Sequence, residues 1–499
     1  MSMMRIGGLA SGMDIDQLVS DLMKAERMPL DKLYQKKQIL EWQRDDYRSM
    51  NTLLQGLDDY LFSNITLQSS MLKKTVSSSN ESVVTATAGS SAANVATTMQ
   101  VNQVATSAVW LSDEAVRVDK ASFSVAADTT LTINVTNGDG STKQATITVK
   151  QGTTLDGLIA QLNNNADLGV SAFYDEKTGR ISIMKKDTGA QASLVLADQA
   201  TADFFAQKLG FTNTVAMQEL TGKTAGKDAD ITINGLRTTR SSNTFTINGV
   251  TYTVKGTGTA TVSVATDADA MFNAIKGFVD KYNETIAKIN AELKEERYRD
   301  YPPLTDEQKE AMTEKQIELW EEKARSGMLR GDSILSSALS KMRMNVYTKV
   351  EGANIPSGFS QLAQIGITTS SNYLDGGKLI IDETKLREKI KENPDAVYQL
   401  FNQDGATDAE KGIAQRLRDT IKSTIGKIET KAGKTIWTNN QFEIGKSLND
   451  LDKRIDAFED RLKDIEDRYW RQFTAMEKAI QRSNEQSMYL MNAFGGGGQ

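Results

Sequence analysis

The sequence predicts an α+β multidomain protein, in which an α-helical coiled-coil stalk is formed by both termini and two β-rich domains are inserted between them. Apolar residues repeat at helical spacing near both ends of the 499 residues. Between about residues 76 and 265 the texture turns to Ser, Thr and Val with period-two alternation. Helical spacing then returns from Phe272 onward. A polypeptide of this length exceeds what one core serves, so about three domains are expected.

The stretch SLNDLDKRIDAFEDRLKDIEDRYWRQFTAMEKAI places Leu448, Leu451, Ile455, Phe458, Leu462, Ile465 and Tyr469 at alternating steps of three and four. This is a narrow coiled-coil seam, flanked by Glu459 with Lys463 and Asp464 with Arg468 at i, i+4 spacing. From Tyr469 to Phe473 a second four-residue step follows the first, a stutter that predicts a change of partner, with Met476 and Ile480 next in line. Toward the other end Leu33, Leu40, Tyr47, Leu54 and Leu61 recur every seventh residue. At 1.5 Å per residue the seam from Leu33 to Leu61 and the one from Leu448 on to Met476 each run about 42 Å, so an antiparallel pairing of the two ends would cover both stripes along their whole length.

Ahead of the first seam, DIDQLVSDLMKAERMP puts Ile15, Leu18, Val19, Leu22 and Met23 on one face, with Asp14 as N-cap. The expected helix has about sixteen residues, and Pro29 fits the first turn of a separate second helix. Such a short helix is marginal alone. Residues 1–32 and 481–499 are therefore expected to be mobile terminal segments, the latter ending in the flexible run Gly495 to Gly498.

In the middle of the sequence VVTATA and TMQVNQVA read as strands, and LTINVT with QATITVK reads as a hairpin about NGDG. TLDGLIAQLNN is a short helix capped by Thr154, with Leu155, Leu158, Ile159 and Leu162 inward; GVSAFYDEKTGRISIMKK is a second hairpin. The run from Ile231 to Asp267 returns to strands separated by Asn-Gly pairs. These features define an inner β-rich domain of residues 76–110 and 225–265 and an outer one of residues 111–224. Residues 33–75 and 266–480 make the helical stalk.

A third seam runs through Phe272, Ile275, Val279, Tyr282, Ile286, Ile289 and Leu293. After Pro302 and Pro303, Thr305 and Gln308 form a capping box for one helix, DEQKEAMTEKQIELWEEKARS, ended by Gly327. Asp332 caps a helix carrying Leu335, Leu339, Met342 and Val346, a small hairpin turns at Asp375 to Gly377, and Pro394 opens a helix with Val397, Leu400 and Phe401. Ile413, Leu417, Ile421, Ile425 and Ile428 mark the helix before the final seam.

Charge is nearly balanced, with 59 basic and 65 acidic residues and no long basic run, so neither nucleic acid nor membrane insertion is expected. MSMMRIGGLASGM lacks the apolar core of a secretory signal. The sequence has no Cys and no His, which removes thiol and imidazole chemistry and zinc sites built on them. TGKT at Thr221 to Thr224 and AGKT at Ala432 to Thr435 lack the leading glycine of a phosphate loop, since Met217 and Ile428 stand there. Asp139 in TNGDGS reads as a turn residue, and no catalytic residue, cofactor or metal site is predicted.

With these motifs in hand, the sequence resembles the bacterial flagellar hook-associated protein 2 family, the filament caps. GGLASGMDIDQLVSDLMKAERMPLDKL is similar to the family's opening, and Gln472 to Glu477 match the Gln-Phe-Thr-x-Met-Glu signature of its closing coiled coil. LTINVT through ISIMKK resembles the repeat found in flagellin-related proteins. The resemblance implies an extracellular, ring-forming homo-oligomer at the flagellum tip, exported without a cleaved signal peptide and promoting flagellin folding and insertion. It also implies contact with hook-filament junction proteins and with a cytoplasmic export chaperone at the C-terminal helix. On this reading the oligomer or filament contacts are Ile15, Leu18, Leu22, Met476, Ile480, Met488 and Met491. A surface carbohydrate-binding adhesin, active in cell adhesion, is the alternative. A glycan-cleaving enzyme would need two opposed carboxylates, for which Asp175, Glu176 and Asp198 are the candidates.

Overall fold

The computed structural model describes residues 12–352 and 355–495. They divide into a helical unit, formed by the residues up to Leu67 and from Phe272 onward, and a β-rich unit from Gln68 to Met271.

The helical unit opens with α1, Ile15–Tyr60, where the Asp14 carboxylate accepts the Gln17 amide at 3.0 Å. The expected break at Pro29 is corrected: α1 is one helix of 46 residues with Pro29 inside it. Proline removes one backbone hydrogen bond and crowds the preceding turn, at about 3 kcal/mol. The helix continues because Leu30, the next residue, is buried against Ile455 and Leu462 of another helix, which hold the backbone on course across the defect. A π-helical turn, Leu61–Thr66, ends α1. Its last carbonyls have no partner within the helix, and Asn402 Nδ2 donates to Ile65 O at 2.8 Å while the Tyr398 hydroxyl donates to Thr66 O at 3.2 Å.

α5, Ala268–Lys294, carries the third seam, with Phe272, Ile275, Val279, Tyr282, Ile286 and Ile289 buried. The single helix expected after Thr305 is corrected to two, α6 (Asp306–Glu310) and α7 (Glu314–Arg325). The cause is a second capping box: Thr313 and Gln316 repeat the signal of Thr305 and Gln308. Next come α8 (Ser333–Tyr347), capped by Asp332, and the strands β16 (Ile367–Thr369) and β17 (Leu379–Ile381). α9 (Glu383–Glu392), α10 (Pro394–Asn402), α11 (Ile413–Ala432) and α12 (Glu443–Gly495) complete the unit. The glycine tail expected at 495–498 lies, after Gly495, outside the described residues.

The β-rich unit starts with the short α2, Gln68–Met71. One five-stranded sheet has the order β1 (Lys74–Ser78), β15 (Gly258–Thr266), β3 (Ala96–Gln103), β11 (Ala229–Ile233), β12 (Leu236–Arg240). A three-stranded sheet, β13 (Thr244–Ile247), β14 (Val250–Val254), β2 (Val84–Ala88), shares its core through Met99, Val101, Ile231, Val262, Val84 and Tyr252. The hairpins β11–β12 and β13–β14 turn at Asn234-Gly235 and Asn248-Gly249, where all four residues have positive φ, the demand of a two-residue hairpin turn.

Nested between β3 and β11 in sequence is a second core with two more sheets. One has the order β10 (Lys223–Thr224), β4 (Val109–Leu111), β8 (Arg180–Lys185), β7 (Val170–Asp175); the other is β6 (Thr142–Val149), β5 (Thr129–Thr136), β9 (Ser193–Leu196). α3 (Leu155–Asn164), capped by Thr154, and α4 (Gln199–Leu209) cover them with Leu155, Leu158, Leu162 and Phe205.

Candidate assembly surface

α1 and α12 pack antiparallel. Tyr34 OH donates to Glu459 Oε1 at 2.5 Å, Lys37 pairs with Asp452 at 2.6 Å, and Tyr469 OH reaches Glu26 Oε1 at 3.0 Å, so the partner number falls as the α1 number rises. Between these polar pairs Met23, Leu30 and Leu33 meet Ile455, Phe458 and Leu462. The hydrogen bond to Glu459 raises the Tyr34 phenol to about 12, with burial adding to it. The bond to Asp452 likewise raises Lys37.

The expectation that the two seams cover each other along their whole length is corrected. α12 starts at Glu443 and its register sets Leu448 to Tyr469 against the first half of α1, so α12 runs out near Tyr47. From there α1 has other partners. Tyr47 OH donates to Asp332, and Arg48 donates to the carbonyls of Ala432, Gly433 and Lys434 at the end of α11. Asp58 accepts Arg418 Nε at 2.8 Å, and Tyr60 OH donates to Ala274 O at 3.1 Å. Tyr47, Leu54 and Leu61 are accordingly fully buried and Leu448, Leu451, Ile455, Leu462 and Ile465 nearly so, whereas Leu33, Leu40, Phe458 and Tyr469 are half-buried.

The candidate contact residues do not share one environment. Ile15 is 1% exposed and Val19 3%, so both point into the subunit, and Ile15 is corrected from an open contact to a buried one. The helix resolves the face by angle: Ile15, Val19 and Met23 step by four toward the seam, leaving Leu18 and Leu22 beside it in solvent. Met476 and Ile480 are half-buried. Continuing the register from Glu26 and Tyr469 brings Ile15 level with Ile480, and every residue from Gln481 to Asn492 is exposed. That overhang carries Met488, Tyr489, Leu490 and Met491, with Met488 at 64% and Met491 at 76%. Met28 on α1 is exposed as well, a contact candidate that its position beside Pro29 concealed in the sequence.

The carboxylates weighed for glycan cleavage each have a structural task. Asp175 accepts Thr178 and the Lys177 amide in the β7–β8 turn, which lowers its pKa; Glu176 pairs with Lys120; Asp198 caps α4. Asp139 accepts the Ser141 amide and hydroxyl in its hairpin turn. Among the described residues no His, Cys, Asp and Glu group could hold a metal ion, and no helix is long and apolar enough to cross a membrane.

Helical ends that pair across nearly the whole sequence, with a β-rich unit inserted between them in sequence, define an α+β multidomain protein whose two ends close one helical unit. Family signatures agree on which one. That of the flagellar hook-associated protein 2 N-terminus matches residues 11–108, that of its C-terminus residues 226–485, and the flagellin hook IN motif residues 130–187. The protein belongs to the flagellar hook-associated protein 2 family. It is 36% identical to the flagellar hook-associated protein 2 of Halalkalibacterium halodurans, covering 98% of this sequence and all of that one. It is 26% identical to that of Escherichia coli K12, covering 98% and 97%. The solved D1-D2-D3 domains of the Escherichia coli flagellar cap protein share the fold, with a TM-score of 0.56 at 20% identity over 81% of this protein and 99% of that one. Nothing in these comparisons supports the adhesin alternative.

Proposed function

We propose that this protein is the structural cap at the distal end of the bacterial flagellar filament, working as a ring of identical subunits that promotes flagellin folding and insertion. Family membership across nearly the full length supports the cap role. The single structural observation that carries the assembly mechanism is the overhang of α12, twelve exposed positions from Gln481 to Asn492 whose Met488, Tyr489, Leu490 and Met491 have no cover in the subunit among the described residues. Apolar helical surface of this kind gains about 25 cal/mol for each Å² it buries, so it favours docking onto other helices. Leu18, Leu22 and Met28 add to the same end of the stalk. The partners that follow are other copies of the subunit, flagellin, hook-filament junction proteins and, before export, a chaperone on the C-terminal helix. The protein acts outside the cell by shape and contact, as a structural component without catalysis of its own.

The test is electron microscopy of the purified full-length protein beside a variant truncated after Ile480. Rings from the full-length protein and well-folded monomers from the truncated one are expected. Rings of equal yield from both would overturn the assignment of assembly to the overhang.

A further inference from the structure

The sequence holds three Asn-Gly pairs, at residues 137–138, 234–235 and 248–249. In each, the glycine has no Cβ to keep its amide nitrogen from reaching the carboxamide carbon of the asparagine before it. The structure separates them. At the first, Asn137 Nδ2 donates to Ser141 Oγ at 2.9 Å, and the buried Gly138 amide is itself engaged by the Asp187 carboxylate. At the second, Asn234 Oδ1 accepts the Thr98 amide at 2.9 Å, which pins the carboxamide to the neighbouring strand. The third pair has nearly the same backbone as the second: φ is 49° and 78° at Asn248 and Gly249, against 47° and 87° at Asn234 and Gly235. Yet the Asn248 carboxamide is exposed and makes no hydrogen bond among the described residues. Two turns matched in backbone thus differ in one tether.

We propose that Asn248 is a site of spontaneous deamidation, with water as the only co-reactant. The Gly249 amide nitrogen, on losing its proton to solvent, attacks Asn248 Cγ; the new C–N bond closes a five-membered imide, the carboxamide C–N bond breaks, and ammonia leaves with the proton. Water then adds to either imide carbonyl and gives an aspartyl or an isoaspartyl residue. The sum is one amide and one water converted to one carboxylic acid and one ammonia, so the turn gains a negative charge at neutral pH. The isoaspartyl product also adds a methylene to the backbone between Ile247 and Val250, which are paired in the ladder. Gly249 O, which accepts the Gly89 amide at 2.9 Å, is thereby displaced, and the loop from Gly89 to Ala92 loses an anchor.

Peptide mapping by mass spectrometry of the full-length protein, aged in mildly alkaline buffer with and without concentrated urea, tests this. In the native protein the Asn248 peptide should gain its deamidation mass shift several-fold faster than the Asn137 and Asn234 peptides. In urea, where tethers are lost, the three rates should converge. Amide exchange on the aged native sample should show faster exchange at Gly89. Equal native rates at Asn234 and Asn248, or a slower rate at Asn248, would overturn the proposal.

Discussion

Arg418 Nε donates to Asp58 Oδ1 at 2.8 Å, joining the last turn of α1 to α11 across 360 residues of sequence. Both groups are mostly out of water, at 18% and 9% exposure, and the Arg418 guanidinium also lies 4.8 Å over the Phe62 ring of the π-helical turn. Removing one partner of such a pair leaves a buried charge without compensation, at about 3–5 kcal/mol. Arg418→Ala is therefore expected to lower the denaturation midpoint of the helical unit strongly, and Arg418→Met combined with Asp58→Leu to recover most of the loss. A single variant as stable as the parent in urea melts would refute this.

Ile455→Asp should cost several kcal/mol, because it sets a carboxylate between Leu30 and Leu462 with nothing to pair it. Ser487→Asp, on the exposed overhang of the same helix, should change the stability of the free subunit by less than about 0.5 kcal/mol. Circular dichroism melts of the two variants separate the outcomes, and similar losses would show that the α1–α12 seam is not what holds the stalk.

The Tyr34 to Glu459 bond makes the stalk sensitive to base. The folded phenol holds its proton to about 12, above the ordinary value near 10. Between those values the folded state binds more protons than the unfolded one, so stability present below about pH 10 is lost as pH rises through about 12. Lys37, also raised, works in the same direction. The Tyr34→Phe variant should show a flatter decline in helicity over that range; an identical decline would exclude this bond as a cause.

Glu292 behaves oppositely to a paired carboxylate. Burial raises its pKa, and the nearby Asp46 and Glu295 charges add to the effect. Its contribution is most favourable below the unfolded value near 4.3 and is lost as pH rises through the folded one, so the ionised form burdens the helix at neutral pH. Glu292→Gln should raise Tm at pH 7 and leave it unchanged at about pH 3. Calorimetry at the two values decides, and a lower Tm at neutral pH would contradict it.

The proposed ring assembly should vary little between pH 6 and pH 8, because the protein has no His and no Cys to titrate there. Salt, which screens exposed ion pairs over about 8–10 Å, should act instead on the free subunit, through pairs such as Lys37 with Asp452 beside the seam. Sedimentation at fixed salt across that pH range would expose any dissociation.

Periodicity made much of this fold legible. Seams survive in the sequence because a buried stripe must repeat with the helix, and the Asn-Gly turns are written in residues that tolerate positive φ. Partner choice was not written there: Leu33 and Leu61 look alike in the heptad pattern, and only the start of α12 at Glu443 decides that one faces α12 and the other does not. Pro29 spoke for a break that packing at Leu30 overrules. α4 is hard to read in the sequence although Asp198 caps it and Gly210, at φ 70°, closes it, because it is short and half of its apolar residues are alanine; α9, with Leu386 and Ile390 as its buried pair, gives an even thinner signal. At the assembly surface, Leu18, Leu22, Met488 and Met491 are exposed, while Ile15 sits one helical step away and is buried.

The pairing of α1 with elements near the opposite terminus also fixes an order of events in time. Tyr34 meets Glu459 across 425 residues, whereas the β-rich unit is a continuous run from Gln68 to Met271. Closing a loop costs about 0.6 kcal/mol more for each doubling of its length, and native contacts this remote come late and slowly. As the polypeptide emerges during synthesis, the β-rich unit can complete its sheets while α1 is still a lone helix with its whole seam in water, since Ala274, Asp332, Arg418 and Glu459 all follow Met271. The stalk closes last, when α12 arrives, so anything that binds α12 first can hold the subunit with its stalk open.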